Sequence, residues 1–390
     1  MTNRAASRIV LEPFSEELVA RVARDALEEV GGKVTCGFVF VSSDYRPHLS
    51  DFLELAQLHG HVPILGGSSG VGLVGTALEA EGATGFSLLL LNLPETKVVP
   101  VRLPVLAEEE SFDEAGIRAL VGPEGKNCCA WIVVANPFQL AVEPWLAAWN
   151  AAWPGIPTLG GLGSGGRTGD DCFVFLDREM VDGGVAFGFK GGLRVETLVS
   201  QGCRPVGEPL TITGAEGHLV TALGSRPAFQ VLDETFGALP DEEKKIASGN
   251  LFVGLAMSEY VDEFKTGDFL VRNLLGGDQQ SGVLAIGAQP RVGQTLQFQL
   301  RNARSADAEL RQIATAARSA GGRPFASLVF ACAGRGRNLF GEPHHDARVL
   351  KETLGQHASA GFFCNGEIGP VGGKSFVHGY TASVALLCDE

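Results

Sequence analysis

The chain has 390 residues, of which 52 are glycine, 45% are hydrophobic and 19% are charged. Glycine at nearly twice its usual share of ~7% has no G-X-Y period to suggest collagen, and the apolar content is too high for a disordered chain. A net charge of −14 repels phosphate backbones and anionic bilayers, which argues against nucleic-acid and membrane partners.

No run approaches the ~20 apolar residues that a spanning helix needs, and Met1 to Arg8 carries no apolar signal core. The eight cysteines form no C-x-x-C pair, so neither a zinc site nor a redox centre is expected. Reduced thiols in a cytosolic protein without metal or cofactor is the reading.

In chain order, a helix is expected over 15–30, with Ser15 as its N-cap and Gly31-Gly32 as its stop. Cys36 to Ser42 reads as a strand, His48 to Gly60 as a helix with period near 3.6, and Gly85 to Leu93 as a strongly apolar strand. Before that last strand runs Val62-Pro63-Ile64-Leu65-Gly66-Gly67-Ser68-Ser69-Gly70. The pattern returns after a helical stretch at 108–120: strand Cys129–Val134, helix Leu140–Ala152, Ile156-Pro157-Thr158-Leu159-Gly160-Gly161 and strand Gly184–Phe189. Pro-x-Leu-Gly-Gly at 63–67 and 157–161 anchors the comparison.

A more distant third copy follows a helical stretch at 306–320 stopped by Gly321-Gly322. It comprises strand Phe325–Cys332, helix His345–Leu354, Gly361 to Gly366 and strand Thr381–Leu387. The repeated unit is α-β-α-β-β, with a parallel crossover between its first two strands and an antiparallel third. An α/β fold with mixed sheets covered by helices follows. Residues 206–305 break the pattern. They offer short strands at 210–213 and 219–223, helices at 226–239 and 241–247, and four further strands up to Leu300. The expected domains are 1–205, with two repeats, and 206–390, with an irregular insert and the third.

Gly66-Gly67-Ser68-Ser69-Gly70 matches the G-x-S-x-G nucleophile elbow, but Val71-Gly72-Leu73-Val74-Gly75 is too glycine-rich to continue as the required helix. A turn is the plainer reading of Ser68. Gly70-x-Gly72-x-x-Gly75 matches the dinucleotide fingerprint letter by letter, yet it opens no helix and is rejected. Gly160 to Gly166, containing Ser164 and ending at Arg167, could form an amide nest for a carboxylate; a surface loop is the equal alternative.

Cys332-Ala333-Gly334-Arg335-Gly336-Arg337 is sharper, because it follows a buried-looking strand where α/β sheets hold their ligands. The planar guanidinium forks of Arg335 and Arg337 suit a carboxylate. Asn365-Gly366-Glu367, in the third glycine segment, can read an ammonium or amide group, against the alternative of a solvated Asn-Gly turn. His378 is a further candidate, weaker because a lone histidine is more often structural. Cys332 and Cys364 read first as small apolar packing residues.

At these motifs the sequence resembles the FIST family. The Gly-Gly segments of the first two copies are similar to FIST N-terminal domains. Val292 to Asn302, Phe330 to Gly336 and Gly361 to Pro370 are similar to FIST C-terminal domains, so the resemblance spans roughly residues 30–388. Arg301-Asn302 departs from the Arg-Asp of the family pattern. The resemblance implies a sensory module for small ligands, amino acids among them, of the kind found alone or joined to signalling domains and F-box proteins. The length leaves no room for such an appended segment, so signalling through a separate partner is expected. The leading expectation is a sensor for an amino acid or small carboxylate, held by Cys332, Gly334, Arg335, Gly336, Arg337, Asn365, Gly366, Glu367 and His378, with Ser68 and Ser164 contributed by the other glycine loops. An enzyme built on a thiol with histidine or on Ser68, and a protein-binding scaffold, are the alternatives.

Overall fold

A computed structural model describes residues 2–106, 111–166, 169–261, 263–264, 267–321 and 323–390. Contacts divide the chain into two compact units, 1–200 with 310–390, and 201–309. This division differs from the expected 1–205 and 206–390, because the C-terminal strands join the sheets of the first unit.

The first unit is α/β and holds three six-stranded mixed sheets. At the heart of each is a fully or almost fully buried strand: Cys36–Val41, Ala130–Ala135 and Pro324–Cys332. Continuous apolar runs of this kind form strands covered on both faces. Each pairs parallel with the next strand, Leu65–Ser69, Thr158–Leu162 and Ala358–Cys364 respectively, after a helical crossover. On its other side each pairs antiparallel with a later strand: Phe86–Asn92, Gly184–Lys190 and Ala382–Cys388.

The helices Glu16–Val30, Leu49–Gly60, Val142–Ala152 and His345–Leu354 lie close to their expected bounds. Ser15 has the backbone shape of an N-cap but makes no side-chain capping bond. The helix expected over 108–120 is seen over Glu114–Val121, capped by the Asp113 side chain accepting from Gly116 N; residues 108–110 lie outside those described. The helix expected over 306–320 spans Ala303–Ser319, and Gly322 of its expected stop also lies outside the described residues.

The glycine segments are strands where turns were expected. Ser68 lies inside Leu65–Ser69, fully buried, and Gly160-Gly161 lies inside Thr158–Leu162. The physical reason is close approach of the backbone. A Cβ on Gly67, Gly160 or Gly361 would stand 1.6, 1.8 or 1.9 Å from the carbonyl oxygen of Val39, Val133 or Val329 on the neighbouring parallel strand. These three glycines therefore occupy one place in the pairing of three sheets. The Pro-x-Leu-Gly-Gly match sets Gly66 against Gly160, one residue out of step with that register.

Each sheet is completed by a hairpin from elsewhere in the chain. The hairpin Gly72–Gly75/Leu78–Glu81 adds to strand Ala358–Cys364 of the third sheet. Val174–Leu176/Glu179–Val181 adds to Leu65–Ser69 of the first, and Glu367–Val371/Lys374–His378 to Thr158–Leu162 of the second. Between the sheets lies one apolar core, in which Phe40 stacks on Phe362 at 4.8 Å between ring centroids and Phe38 meets Phe187 edge-on at 5.1 Å.

The second unit is a β-barrel. Strand Cys203–Glu216 pairs with Thr295–Arg301 along its first part and with Leu219–Leu223 along its last. The sheet thereby closes through Leu251–Ala256, Phe269–Asp278 and Val283–Ile286. The expected short strand at 210–213 is the middle of this 14-residue strand. The helix expected over 226–239 spans Ala228–Ala238, its first two residues forming a short strand instead.

Candidate functional site

All the expected site residues lie in the first unit. Cys332 and Cys364 end a parallel strand pair and are each other's register partners. Beyond Cys332 the chain turns tightly: Ala333 N donates to the Cys364 carbonyl at 3.0 Å and Arg335 N to the Cys332 carbonyl at 2.9 Å. Gly336, with φ of +58° and its α-carbon against the Glu81 carboxylate, then starts a five-residue helix ending at Phe340. A side chain at Gly336 would collide with Glu81 as well as strain the backbone.

This turn buries Arg335 completely. Its guanidinium makes a two-pronged bond to Asp346, Nε to Oδ2 at 2.6 Å and Nη2 to Oδ1 at 2.9 Å, and lies over the Phe340 ring. The fork expected to face a ligand is thus already engaged by a carboxylate of the protein itself. Asp346 also contacts His345 Nδ1 at 3.0 Å, and the His345 ring stacks on Phe340. Burial alone would raise Asp346, but Arg335 and His345 outweigh it and hold the carboxyl near 2. Such a buried pair is costly to break from one side, about 3–5 kcal/mol, because the remaining charge is stranded.

Glu367 is also fully buried. Its Oε2 accepts from Thr381 N at 3.1 Å, while Oε1 has no hydrogen-bond partner. Burial pushes its carboxyl well above the ordinary range, against the pull of the Thr381 amide, of the Arg335 charge and of a hydrogen bond with the Cys332 thiol. Glu367 pairs in register with Gly161, the residue after Gly160. In the other two sheets the corresponding places, opposite Ser68 and Phe362, are filled by Val174 and Leu73, both buried. A carboxyl therefore stands where two sheets use an apolar side chain.

The structure brings together Cys332, Arg335 and Glu367 and leaves others apart. Arg337 and Asn365 are exposed at the rim, and Gly334 is half-buried. Gly366 is buried, its carbonyl accepting from Leu162 N at 2.8 Å. His378 is the register partner of Glu367 and is buried with Nε2 3.0 Å from the Gly369 carbonyl, a structural setting. Ser164 is a staple: its hydroxyl donates to the Phe363 carbonyl and accepts from Val71 N, joining all three glycine segments. Ser68 is buried with an unbonded hydroxyl, in a continuing strand that has none of the geometry of an elbow. Arg167, at the end of the expected nest, lies outside the described residues.

Neither Cys332 nor Cys364 is shifted towards its thiolate. Burial, with Glu367 adding, pushes Cys332 up to about 12, and burial raises Cys364 as well. No group of three or more His, Cys, Asp or Glu side chains suited to a metal occurs among the described residues. No described helix is long and apolar enough to cross a membrane.

Three acidic residues, Asp346, Glu79 and Glu81, were missed by sequence reasoning. Asp346 is the counter-charge of Arg335, and Glu79 sits 265 residues upstream of His344, whose ring accepts the Glu79 amide. Glu79 Oε1 accepts from Ala347 N at 2.9 Å, and Glu81 Oε1 from Arg337 N at 2.9 Å. Only the alternation of Asp346 with apolar Ala347, Val349 and Leu350 in its helix hinted at burial; for Glu79 the edge-strand position gave no signal.

The family models for the FIST N domain and the FIST C domain match residues 35–226 and 228–370. An uncharacterized protein of Mycobacterium tuberculosis is 34% identical over 383 residues, covering 97% of each chain. Another, from Mycobacterium bovis, is 43% identical over 260 residues, covering 66% of this chain and 67% of its own. Among solved structures, a cyanuric acid hydrolase from A. caulinodans aligns over 99% of both chains with a TM-score of 0.33 and 10% identity. The chain belongs to the FIST family, whose domains are small-ligand sensory modules of signal transduction.

Proposed function

We propose that this protein senses an amino acid or another small carboxylate, held between the Arg335 loop and the Asn365–Glu367 turn, and signals through a separate partner protein in the cytoplasm. The observation that carries the reading is the Glu367 carboxyl. It is fully buried with one oxygen unbonded, at a place where the other two sheets use Val174 and Leu73. Leaving a buried polar atom unpaired costs about 1–3 kcal/mol, a cost that folding alone gives no reason to retain. A ligand that supplies the missing bond gives one.

Arg335 contributes positive charge next to Glu367, fixed in place by Asp346, and the exposed Asn365 amide marks the rim. Binding to the native state raises the melting temperature by mass action, with about 2.7 kcal/mol gained at a hundredfold excess over Kd. The test is a thermal-shift panel of amino acids, organic acids and small amines at millimolar concentration on the full chain. A rise is expected with at least one compound and is expected to vanish in Glu367→Gln. A flat panel, or an equal rise in the variant, sinks the assignment.

A further inference from the structure

The three sheets of the first unit solve one local problem in three ways. The residue just before each third strand has an amide that needs an acceptor. Gly85 N donates to the Ser42 hydroxyl at 3.0 Å, Gly183 N to Gln139 Oε1 at 3.3 Å, and Thr381 N to Glu367 Oε2 at 3.1 Å. A neutral side chain suffices in the first two sheets. The third uses a carboxyl, which adds a charge and a second oxygen, Oε1, that has no hydrogen-bond partner. Tyr380, immediately before the bonded amide, is held at φ of +63°, a costly angle for a residue with a side chain and one that recurs at binding sites.

Buried charge at this place is out of balance. Arg335 is the one Arg or Lys side chain buried among the described residues, and three buried carboxyls share its field: Asp346, Glu79 and Glu367. Asp346 takes the fork of the guanidinium, and Nη1 stands 3.5 Å from the Tyr380 carbonyl. A buried charge needs an opposite one within bonding reach, and this cation is already engaged. Solvent is nearest on the side of Cys332, Gly334 and Tyr380, which are half-buried, and of Gly379, which is exposed with open space around it.

We propose that the group received at Glu367 is the ammonium of a small primary amine, free or as the amino group of an amino acid, bonded to Oε1. The inference rests on the sensor reading and names the end of the ligand that reading leaves open. An ammonium brings both things the place lacks, N–H donors and a positive charge. A carboxylate brings neither, and would be a fourth acid beside Asp346, Glu79 and Glu367 with the Arg335 fork already filled. The charged and titratable groups facing Glu367 are Arg335 and the Cys332 thiol, the Cys364 thiol on the adjoining strand, and the His378 ring opposite it in the hairpin. Burial keeps a proton on free Glu367 near neutral pH. The ammonium replaces that proton, which leaves to solvent, so amine binding strengthens as pH rises towards the raised value of the free carboxyl. A carboxylate sharing the proton would bind with the opposite sign.

The test is a thermal-shift panel on the full chain, with the common amino acids, their N-acetyl derivatives, the matching deaminated acids and the matching decarboxylated amines at millimolar concentration. A rise is expected among the amine-bearing compounds and none with the N-acetyl or deaminated ones. The Kd of the best compound, followed by titration calorimetry from pH 6 to pH 8, is expected to fall by up to about tenfold per pH unit. In Glu367→Gln, which keeps a neutral acceptor for Thr381 N as Ser42 and Gln139 do for their amides, the response is expected to be lost throughout. A rise as large with N-acetyl or deaminated acids overturns the inference and leaves the sensor reading standing. So does a wild-type Kd that stays flat or rises with pH, whether or not the variant folds. A flat panel, or an amine response undiminished in folded Glu367→Gln, removes both.

Discussion

Glu367 sets a trade between folding and binding that a single substitution can separate. Replacing it by leucine imitates Val174 and Leu73 in the other sheets and removes the unbonded Oε1. Glu367→Leu removes the cost of that unpaired oxygen but leaves the buried Thr381 amide without its acceptor, so near pH 5 its stability is expected to stay within about 1–3 kcal/mol of wild type while the ligand response is lost. The sign of the pH dependence follows from the raised carboxyl. Native Glu367 keeps a proton that the unfolded chain loses above the ordinary carboxylate range, so its contribution is fully present below that range and declines as pH rises. The stability of the leucine variant relative to wild type should therefore rise from pH 5 to pH 8 in urea denaturation. A variant less stable than wild type across that range would show that Glu367 serves the fold. At this scale the sequence was half legible. Arg335 and Glu367 stood out because each follows a buried strand or glycine segment. Their burial did not, because Arg335 depends on Asp346 and Glu367 on its pairing with Gly161, contacts made only through helix packing and sheet pairing.

At the scale of elements, the strand order of the first unit was readable because long apolar runs such as Cys36–Val41 and Ala130–Ala135 have little alternative to buried strand. The glycine segments were misread as turns. Composition reports that a Cβ is forbidden but not whether a positive φ or a neighbouring carbonyl forbids it. Here it is the carbonyl at Gly67 and Gly361, and at Gly160 both, with φ of +157°. Alanine at Gly67 or Gly361 should therefore destabilise severely, by more than about 4 kcal/mol, or prevent folding, since backbone rather than a mobile side chain must give way. Alanine at Gly379, around which nothing lies within 4 Å, serves as the control and should change stability by under about 0.5 kcal/mol. Chemical denaturation of the three variants checks this; a mild loss at Gly67 would mean that the strand pair can slide apart to admit a methyl group.

Over the whole chain, the two units are built on opposite principles of connectivity. The first exchanges its hairpins: residues 72–81 complete a sheet whose other strands are mostly C-terminal, and residues 367–378 complete one begun at Lys97–Leu103. The second closes on itself, since Cys203–Glu216 pairs at both ends of its own barrel. Nothing local in the sequence marks which sheet a short hairpin joins, and for that reason the expected boundary at 205 kept the C-terminal strands with the barrel. The connectivity dictates how fragments behave. A fragment of residues 1–200 would leave hairpin 72–81 without Ala358–Cys364 and strand Thr158–Leu162 without Glu367–Val371, exposing unpaired strand edges that aggregate. It is expected to be insoluble or unfolded. A fragment of residues 201–309 keeps every strand of its barrel and its core of Val253, Leu255, Phe298 and Leu300. It is expected to fold alone with a cooperative thermal transition and strand-type circular dichroism. The exchanged hairpins also explain how a carboxylate from the first fifth of the chain, Glu79, comes to accept the Ala347 amide in the first turn of helix His345–Leu354, near the chain's end. A soluble, cooperatively melting 1–200 fragment would show that the borrowed strands are dispensable to the fold of the first two sheets.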